Sequence, residues 1–125
     1  MPFETRQIVF RTPEVAQAVT EWHRRMRTPL PAGTVVRCAA DGDGPDDAPR
    51  VRLVIALDDL EAVHLGGSHR EVVIEGPALA AALILYCSDR RIPLPASAKK
   101  SLRRVGEQVG LVVTSGLTGA RWRGW

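Results

Sequence analysis

The chain has 125 residues, 45% of them hydrophobic, which suits one domain over residues 1–125 that buries a core without disulfides or metal ions. A net charge of +3 is low for a domain dedicated to nucleic acid, and no apolar run is long enough to cross a bilayer. The two cysteines, Cys38 and Cys87, are predicted to be reduced thiols, and with no signal-peptide pattern at the start they indicate a cytoplasmic protein.

An internal repeat organises the chain. Residues 6–32 align without a gap on residues 70–96, and ten of the 27 aligned positions are identical. The identities include the first arginine of each copy, a proline, a later arginine and Pro-Leu-Pro-Ala at the end. Each copy is therefore predicted to form a strand, then a helix, then a turn braced by prolines.

The first copy predicts one strand and one amphipathic helix. Residues 6–10 are rich in β-favouring side chains, and Thr12 and Pro13 are predicted to begin the helix as its N-cap and first residue. Apolar residues then recur at helical spacing over residues 15–26 and predict a single buried stripe. Residues that precede a proline disfavour the α conformation, so the helix should end by Arg27.

Between the copies we expect strands and turns. Residues 33–40 and 50–57 are predicted to pair across the acidic loop of residues 41–47, because clusters of Gly, Pro and Asp are typical of hairpin connections. Residues 60–65 are interpreted as a further short strand, which turns through residues 66–68 into the second copy.

The second copy and the segment after it complete the predicted fold. Residues 72–75 are predicted as a strand followed directly by a helix, residues 96–105 as a short basic helix, and residues 108–114 as the final strand. The order of elements predicts an α+β two-layer sandwich built from a duplicated β-α-β unit, ferredoxin-like or related. Its helices would lie on one face of an antiparallel or mixed sheet.

The helix of the second copy has no polar face over residues 78–87. A helix that is apolar all round must be covered all round. In a chain this short we expect the sheet to cover one side, and either the first helix or another subunit to cover the other. The sequence therefore predicts a homodimer with Leu79, Leu83 and Tyr86 near its interface.

Two arginines, Arg27 and Arg91, hold the same position in the two copies, two residues before each Pro-Leu-Pro. One interpretation is that a pseudo-two-fold axis brings their guanidinium groups together to bind one anion, such as a phosphate or a carboxylate. The other is that each cation offsets the helix dipole and bonds free carbonyls at the helix end. The sequence leaves both interpretations open.

A basic segment near the end of the chain is the candidate for nucleic-acid contact. Its four cations are Lys99, Lys100, Arg103 and Arg104, and a helix that carried them could follow a phosphate backbone. A solvated helix face explains the same residues. The predicted strands hold few aromatic side chains on which bases could stack, so nucleic acid is not the favoured partner.

The sequence contains none of the common motifs for catalysis, nucleotide binding or zinc binding. The chain has no nucleophile elbow, P-loop or dinucleotide-binding glycine pattern, and no histidine or cysteine spacing typical of zinc. We therefore expect no metal ion and no cofactor. A catalytic site would have to be assembled from residues distant in sequence.

The run AALILYC of residues 81–87, followed by RIPLP of residues 91–95, resembles a stretch of small, uncharacterised bacterial proteins in which a helix leads into Ile-Pro-Leu-Pro. The resemblance covers residues 70–114 and implies a bacterial, cytoplasmic protein. It implies no activity and transfers no functional residue.

These features favour a non-enzymatic binding or regulatory module, a homodimer that engages a protein or a small anionic partner. The alternative is a nucleic-acid-binding protein that uses residues 99–104. The third hypothesis is an enzyme with a spatially assembled site. Salt dependence separates the first two, because binding through many phosphate contacts weakens steeply as salt rises.

Overall fold

The computed structural model describes residues 4–42 and 49–115, which form three helices and six strands. The helices are α1 (Thr12–Arg25), α2 (Asp59–Leu65) and α3 (Gly76–Asp89). The strands are β1 (Glu4–Phe10), β2 (Gly33–Asp41), β3 (Arg50–Leu57), β4 (His69–Glu75), β5 (Lys99–Val105) and β6 (Gln108–Ser115). Within the described residues, no helix has the length and apolar character that a membrane crossing needs.

The strands form two antiparallel sheets of three strands each. One sheet has the order β1-β6-β5 and the other has the order β2-β3-β4. The backbone N–H of Ala40 in β2 donates to the carbonyl of Glu107 in the β5–β6 turn (2.9 Å) and joins the sheets at that point. The fold is therefore α+β and consistent with a two-layer sandwich, although it contains two sheets where the sequence predicted one.

Each sheet takes strands from both halves of the chain. Strand β1 pairs along its whole length with β6, and β4 pairs along its whole length with β3. The hairpins β2-β3 and β5-β6 thus each receive a third strand from the other half. Exchanging the two halves of the chain turns the order of one sheet into the order of the other.

The core lies between the inner faces of both sheets and the helices α1 and α3. Every second side chain of the two central strands is buried, as expected for strands with one face inside: Val51, Leu53, Ile55, Val109, Leu111 and Val113. Phe10 at the end of β1 meets Tyr86 of α3 edge to face, with ring centroids 5.9 Å apart. Helix α1 contributes Val15, Ala18 and Val19 from its predicted apolar stripe.

Most of the apolar helix α3 is covered by its own chain. Leu79, Leu83 and Tyr86, which the sequence placed near a homodimer interface, are buried in this core. The strands of the second sheet and helix α1, the first of the two alternatives that the sequence left open, pack against α3. These three side chains are therefore not available to an interface.

Two segments differ from the prediction. Residues 60–65 lie in helix α2, not in a strand, and the helix ends at Gly66 in the left-handed conformation (φ 76°). Residues 99–105 form strand β5, not a basic helix. The reason is the buried strand β6, which needs a neighbour on its second side, and a tight turn with Gly106 at φ 64° places β5 there.

The start of α1 also shifts by one residue. Arg11 is the N-cap in place of Thr12, and its backbone N–H donates to Oε1 of Glu14 (2.8 Å). The strands predicted at residues 33–40, 50–57 and 108–114 are confirmed within one residue at each end. Residues 43–47 of the acidic loop lie outside the described residues.

Candidate anion site at the helix ends

The two long helices end in the same way, and the arginines that the repeat singled out lie at this point. Arg27 and Arg91 both have left-handed backbone, with φ 60° and φ 57°, and follow the last helical turn as the C′ residue of a Schellman motif. The bonds that define the motif run from Thr28 N–H to the His23 carbonyl (2.9 Å) and from Ile92 N–H to the Cys87 carbonyl (2.8 Å).

Left-handed backbone is unfavourable for arginine. The Cβ atom approaches the following carbonyl and costs about 1–2 kcal/mol, which is why glycine is the usual residue at this helix position. Arg27 and Arg91 are both exposed, and within the described part of the chain their side chains have no hydrogen bond or ion pair. Backbone N–H groups, not guanidinium groups, close the helix ends. Among the described residues, these arginines therefore bond no free carbonyl, and the offset of the helix dipole is the structural role that remains for them.

A polar cleft of about 510 Å³ lies between α1 and α3 beside these ends. Its lining residues are Glu21, Arg24, Arg25, Asp89 and Arg90. Arg25 Nη2 contacts Asp89 Oδ2 at 2.7 Å, and Arg90 Nη2 contacts Glu21 Oε2 at 3.2 Å. Arg25 and Asp89 each lie two residues before the left-handed arginine of their own helix, so this ion pair places the two helix ends side by side.

Glu21 and the ring of Tyr86 hold Arg90 in a fixed orientation. The hydrogen bond from Arg90 lowers the pKa of Glu21, and the same bond raises the pKa of Arg90. The Arg90 guanidinium carbon lies 3.6 Å from the centroid of the Tyr86 ring. Exposed ion pairs such as these add little to stability. Their main effect here is to orient the arginines that line the cleft.

The helix ends carry an excess of positive charge. Their cations are Arg24, Arg25, Arg27, Arg90 and Arg91, and their anions are Glu21 and Asp89. Arg24 makes no ion pair in the described ranges. Guanidinium groups bind the paired oxygens of carboxylates and phosphates in a fork geometry, so this surface has the chemistry of an anion site.

Sequence reasoning found two of these residues and missed the rest. It singled out Arg27 and Arg91 but did not connect them to Arg24, Arg25 and Arg90. A signal was present, because Arg25 and Asp89 hold the same aligned position in the two copies with opposite charge. In the structure these two residues form an ion pair between the helix ends.

The basic segment does not form one surface. Strand β5 turns successive side chains to opposite faces, so Lys99 and Arg103 share one face while Lys100 and Arg104 share the other. Lys100 Nζ donates to the carbonyls of Pro95 (2.9 Å) and Ala98 (3.1 Å). The single cationic face that a helix would have presented to a phosphate backbone is therefore absent from β5.

A second charged cleft, of about 400 Å³, opens on the outer face of the β2-β3-β4 sheet and was not anticipated. Its charged lining consists of Arg37, Asp41, Arg52, Glu71 and Glu107. Hydrogen bonds from Arg50 and Arg52 (both 2.6 Å) lower the pKa of Asp41, and Arg52 also bonds Glu71 (2.8 Å). These partners largely neutralise one another, so this cleft is less suited to a charged ligand.

The cysteines and histidines form no reactive centre in the described residues. Cys38 and Cys87 are free thiols, and burial raises the pKa of Cys38 to about 11 and that of Cys87 above its usual value. Both thiols are therefore protonated at neutral pH. Across residues 4–42 and 49–115, no group of three or more His, Cys, Asp or Glu side chains is placed to hold a metal ion.

No family model, curated protein or solved structure matches this chain. The geometry of the helix ends therefore carries the functional argument.

Proposed function

We propose that the protein is a non-enzymatic binding module that engages an anionic partner, a protein carboxylate cluster or a small anion, through the arginines at the ends of α1 and α3. The observation that supports this is the left-handed backbone of Arg27 and Arg91. Both accept a conformation that glycine adopts without cost, and residues kept in strained conformations cluster at functional sites. The homodimer expected from the sequence is part of the proposal, with an interface that excludes Leu79, Leu83 and Tyr86.

The neighbouring charges support the same proposal. Glu21 and Asp89 are engaged by Arg90 and Arg25, so they neutralise those two cations. Arg24, Arg27 and Arg91 stay without a counter-ion among the described residues. An anion with two or more oxygens would find the unengaged guanidinium group of Arg24 in a cleft whose other arginines are already oriented, and Arg27 and Arg91 follow the lining residues closely in sequence.

Two further points belong to this proposal. The matching elements of the two copies, and the exchange that relates the two strand orders, support a duplicated unit of strand, helix and two strands. The unpaired cysteines support a reducing compartment, the cytoplasm.

The test is a pair of glycine substitutions. Arg27→Gly with Arg91→Gly removes both guanidinium groups while giving the backbone a residue that favours its conformation, so lost binding cannot be explained by unfolding. We expect calorimetric titration with pyrophosphate, and with a hexaglutamate peptide, to show binding to the wild type and at least tenfold weaker binding to the double variant. The matched control is Lys99→Ala with Arg103→Ala, which removes the same charge from one face of β5.

The control also tests the second candidate function. Lys99 and Arg103 are exposed on one face of an edge strand, an arrangement that favours contact with nucleic acid over this face alone. If the β5 variant loses salt-dependent binding to generic RNA or DNA while the glycine variant keeps it, the nucleic-acid function is favoured. Wild-type protein that binds neither anion probe would contradict the proposed function.

A further inference from the structure

The two sheets have four edges, and two of them are protected against pairing with another strand. Strand β2 carries a bulge between Val35 and Arg37, with Val36 exposed in the middle of the edge. Strand β5 carries four cations in seven residues. Bulges and clustered lysine or arginine are the usual means by which proteins block an edge.

Strands β1 and β4 lack both kinds of protection. Each pairs with its one neighbour without a register shift along its whole length. Each also has an exposed valine at the aligned position of the repeat, Val9 at 41% and Val73 at 44% exposure. An uninterrupted edge with an apolar centre is a template for another strand.

The free hydrogen-bonding groups of β4 can be assigned from its pairing with β3. The N–H of Leu57 donates to the carbonyl of Ser68 (2.9 Å), so Leu57 and Ser68 form a hydrogen-bonded pair. Hydrogen-bonded and non-hydrogen-bonded pairs alternate along an antiparallel ladder, so every second residue of β4, counted from Ser68, bonds to β3. The intervening residues turn their N–H and C=O groups to the open edge. They are His69, Glu71, Val73 and Glu75, and all four side chains are exposed.

We propose that a second copy of this chain pairs with β4, strand to strand and antiparallel, with Val72 of each copy on the two-fold axis. In this register His69 lies opposite Glu75 and Glu71 lies opposite Val73. These are the residues whose backbone groups face outward, so the hydrogen bonds and the side-chain pairing call for the same register. The imidazole of His69 meets a carboxylate in both symmetry-related pairs.

The neighbouring registers are disfavoured by charge. A two-fold axis through Val73 would put Glu71 opposite Glu75, and an axis through Glu71 would put that carboxylate opposite itself. Like charges directly opposite each other destabilise a strand pair. Only the register centred on Val72 overlaps most of β4 and avoids opposed carboxylates.

The other unprotected edge lacks this complementarity. Antiparallel pairing of β1 with itself about Gln7 puts Glu4 opposite Phe10, and pairing about Arg6 puts two arginines together. Beside β4, helix α3 follows directly and contacts the strand, with Ala81 exposed and no charged residue before Asp89. The sheet edge with its apolar helix therefore suits a second copy better than the edge at β1 does.

The proposal specifies the interface of the homodimer and is independent of the anion site. Arg91 follows the far end of α3, about 21 Å along a helix of 14 residues from Glu75, where β4 ends. The test is Val73→Glu, with Val9→Glu as the matched control, because both valines are exposed to the same extent at aligned positions. Both variants should stay folded by circular dichroism.

We expect sedimentation equilibrium to show that the wild type is a dimer at micromolar concentration. The dimer Kd of Val73→Glu should be at least tenfold higher, because each new carboxylate would face Glu71 of the other copy. Val9→Glu should dimerise like the wild type. Val73→Pro should also dissociate the dimer, since it removes an edge N–H that β3 does not use. A wild type that is monomeric at 100 micromolar, or dissociation by Val9→Glu alone, would overturn the proposal. Pyrophosphate titration of Val73→Glu reports separately on the anion site and should match the wild type.

Discussion

Replacing Arg27 by glycine should stabilise the protein, although it removes a charged side chain from the end of a helix. Relief of the left-handed backbone returns about 1–2 kcal/mol. Glycine also gives the unfolded chain more freedom, which offsets about 0.4–1 kcal/mol. No hydrogen bond of the Arg27 side chain is lost within the described residues. Loss of an exposed cation at a helix C-terminus offsets about 0.3 kcal/mol more. The net gain is therefore roughly 0.5 kcal/mol, and Arg91→Gly should behave alike.

Urea unfolding measures this gain as a higher midpoint at unchanged slope, and a gain of this size corresponds to a rise in Tm of about 2 °C for a chain of this length. The control is Arg24→Gly, three residues earlier on the same exposed surface but in helical conformation. Glycine there should destabilise by about 0.5–1 kcal/mol. If Arg27→Gly lowers the midpoint as much as Arg24→Gly does, the strain argument is refuted, and with it the main support for the anion site.

Three further outcomes are expected. Gly33→Ala should lower the free energy of unfolding, measured with urea, by about 2–3 kcal/mol, because the new Cβ atom would lie 2.2 Å from the Ala56 carbonyl oxygen. The control is Gly67→Ala, whose Cβ atom would meet no atom closer than 4.0 Å and which should be near neutral. At pH 8 iodoacetamide should alkylate Cys38 about a hundredfold more slowly in the folded protein than in urea, since its pKa is raised to about 11; equal rates by mass spectrometry would contradict this. The pKa of Glu21 is lowered in the folded state, so its contribution to stability is present above its ordinary pKa of 4.5 and is lost as the pH falls through the folded-state pKa. Glu21→Gln should therefore lower the urea midpoint slightly at pH 7 and progressively less as the pH falls.

The sequence was informative wherever local chemistry decides the structure. Prolines and the helical spacing of apolar residues located α1, and the β-rich runs located β2, β3 and β6 within one residue. It failed where tertiary neighbours decide. Strand β5 has only Leu102 packed against the core, and its sequence alone gives no reason to prefer a strand over a helix. Its structure depends on β6, which has a second edge to fill.

Only part of the candidate anion site could be predicted from the sequence, for a similar reason. Alignment of the two copies marked Arg27 and Arg91, because identity at matching positions is visible in the sequence. The left-handed backbone was not visible, since a C′ position is normally recognised by its glycine and neither copy has one. The exchange of strands was hidden as well. Nothing in the residues of β1 distinguishes β6 from β2 as a partner.

The pairing of β1 with β6 has a consequence for how the protein is made. These are the first and last strands of the described chain, so the β1-β6-β5 sheet cannot form until the segment of β6 has left the ribosome. Until then β1, with its run Ile8-Val9-Phe10, has no partner of its own, and the nascent chain exposes strand edges that favour aggregation. The chain between β1 and β6 must also be closed into a loop before their contacts can stabilise it, and this entropic cost slows folding. Synthesis of the second half is thus the step that completes both sheets, and premature termination within it would leave β1 permanently unpaired.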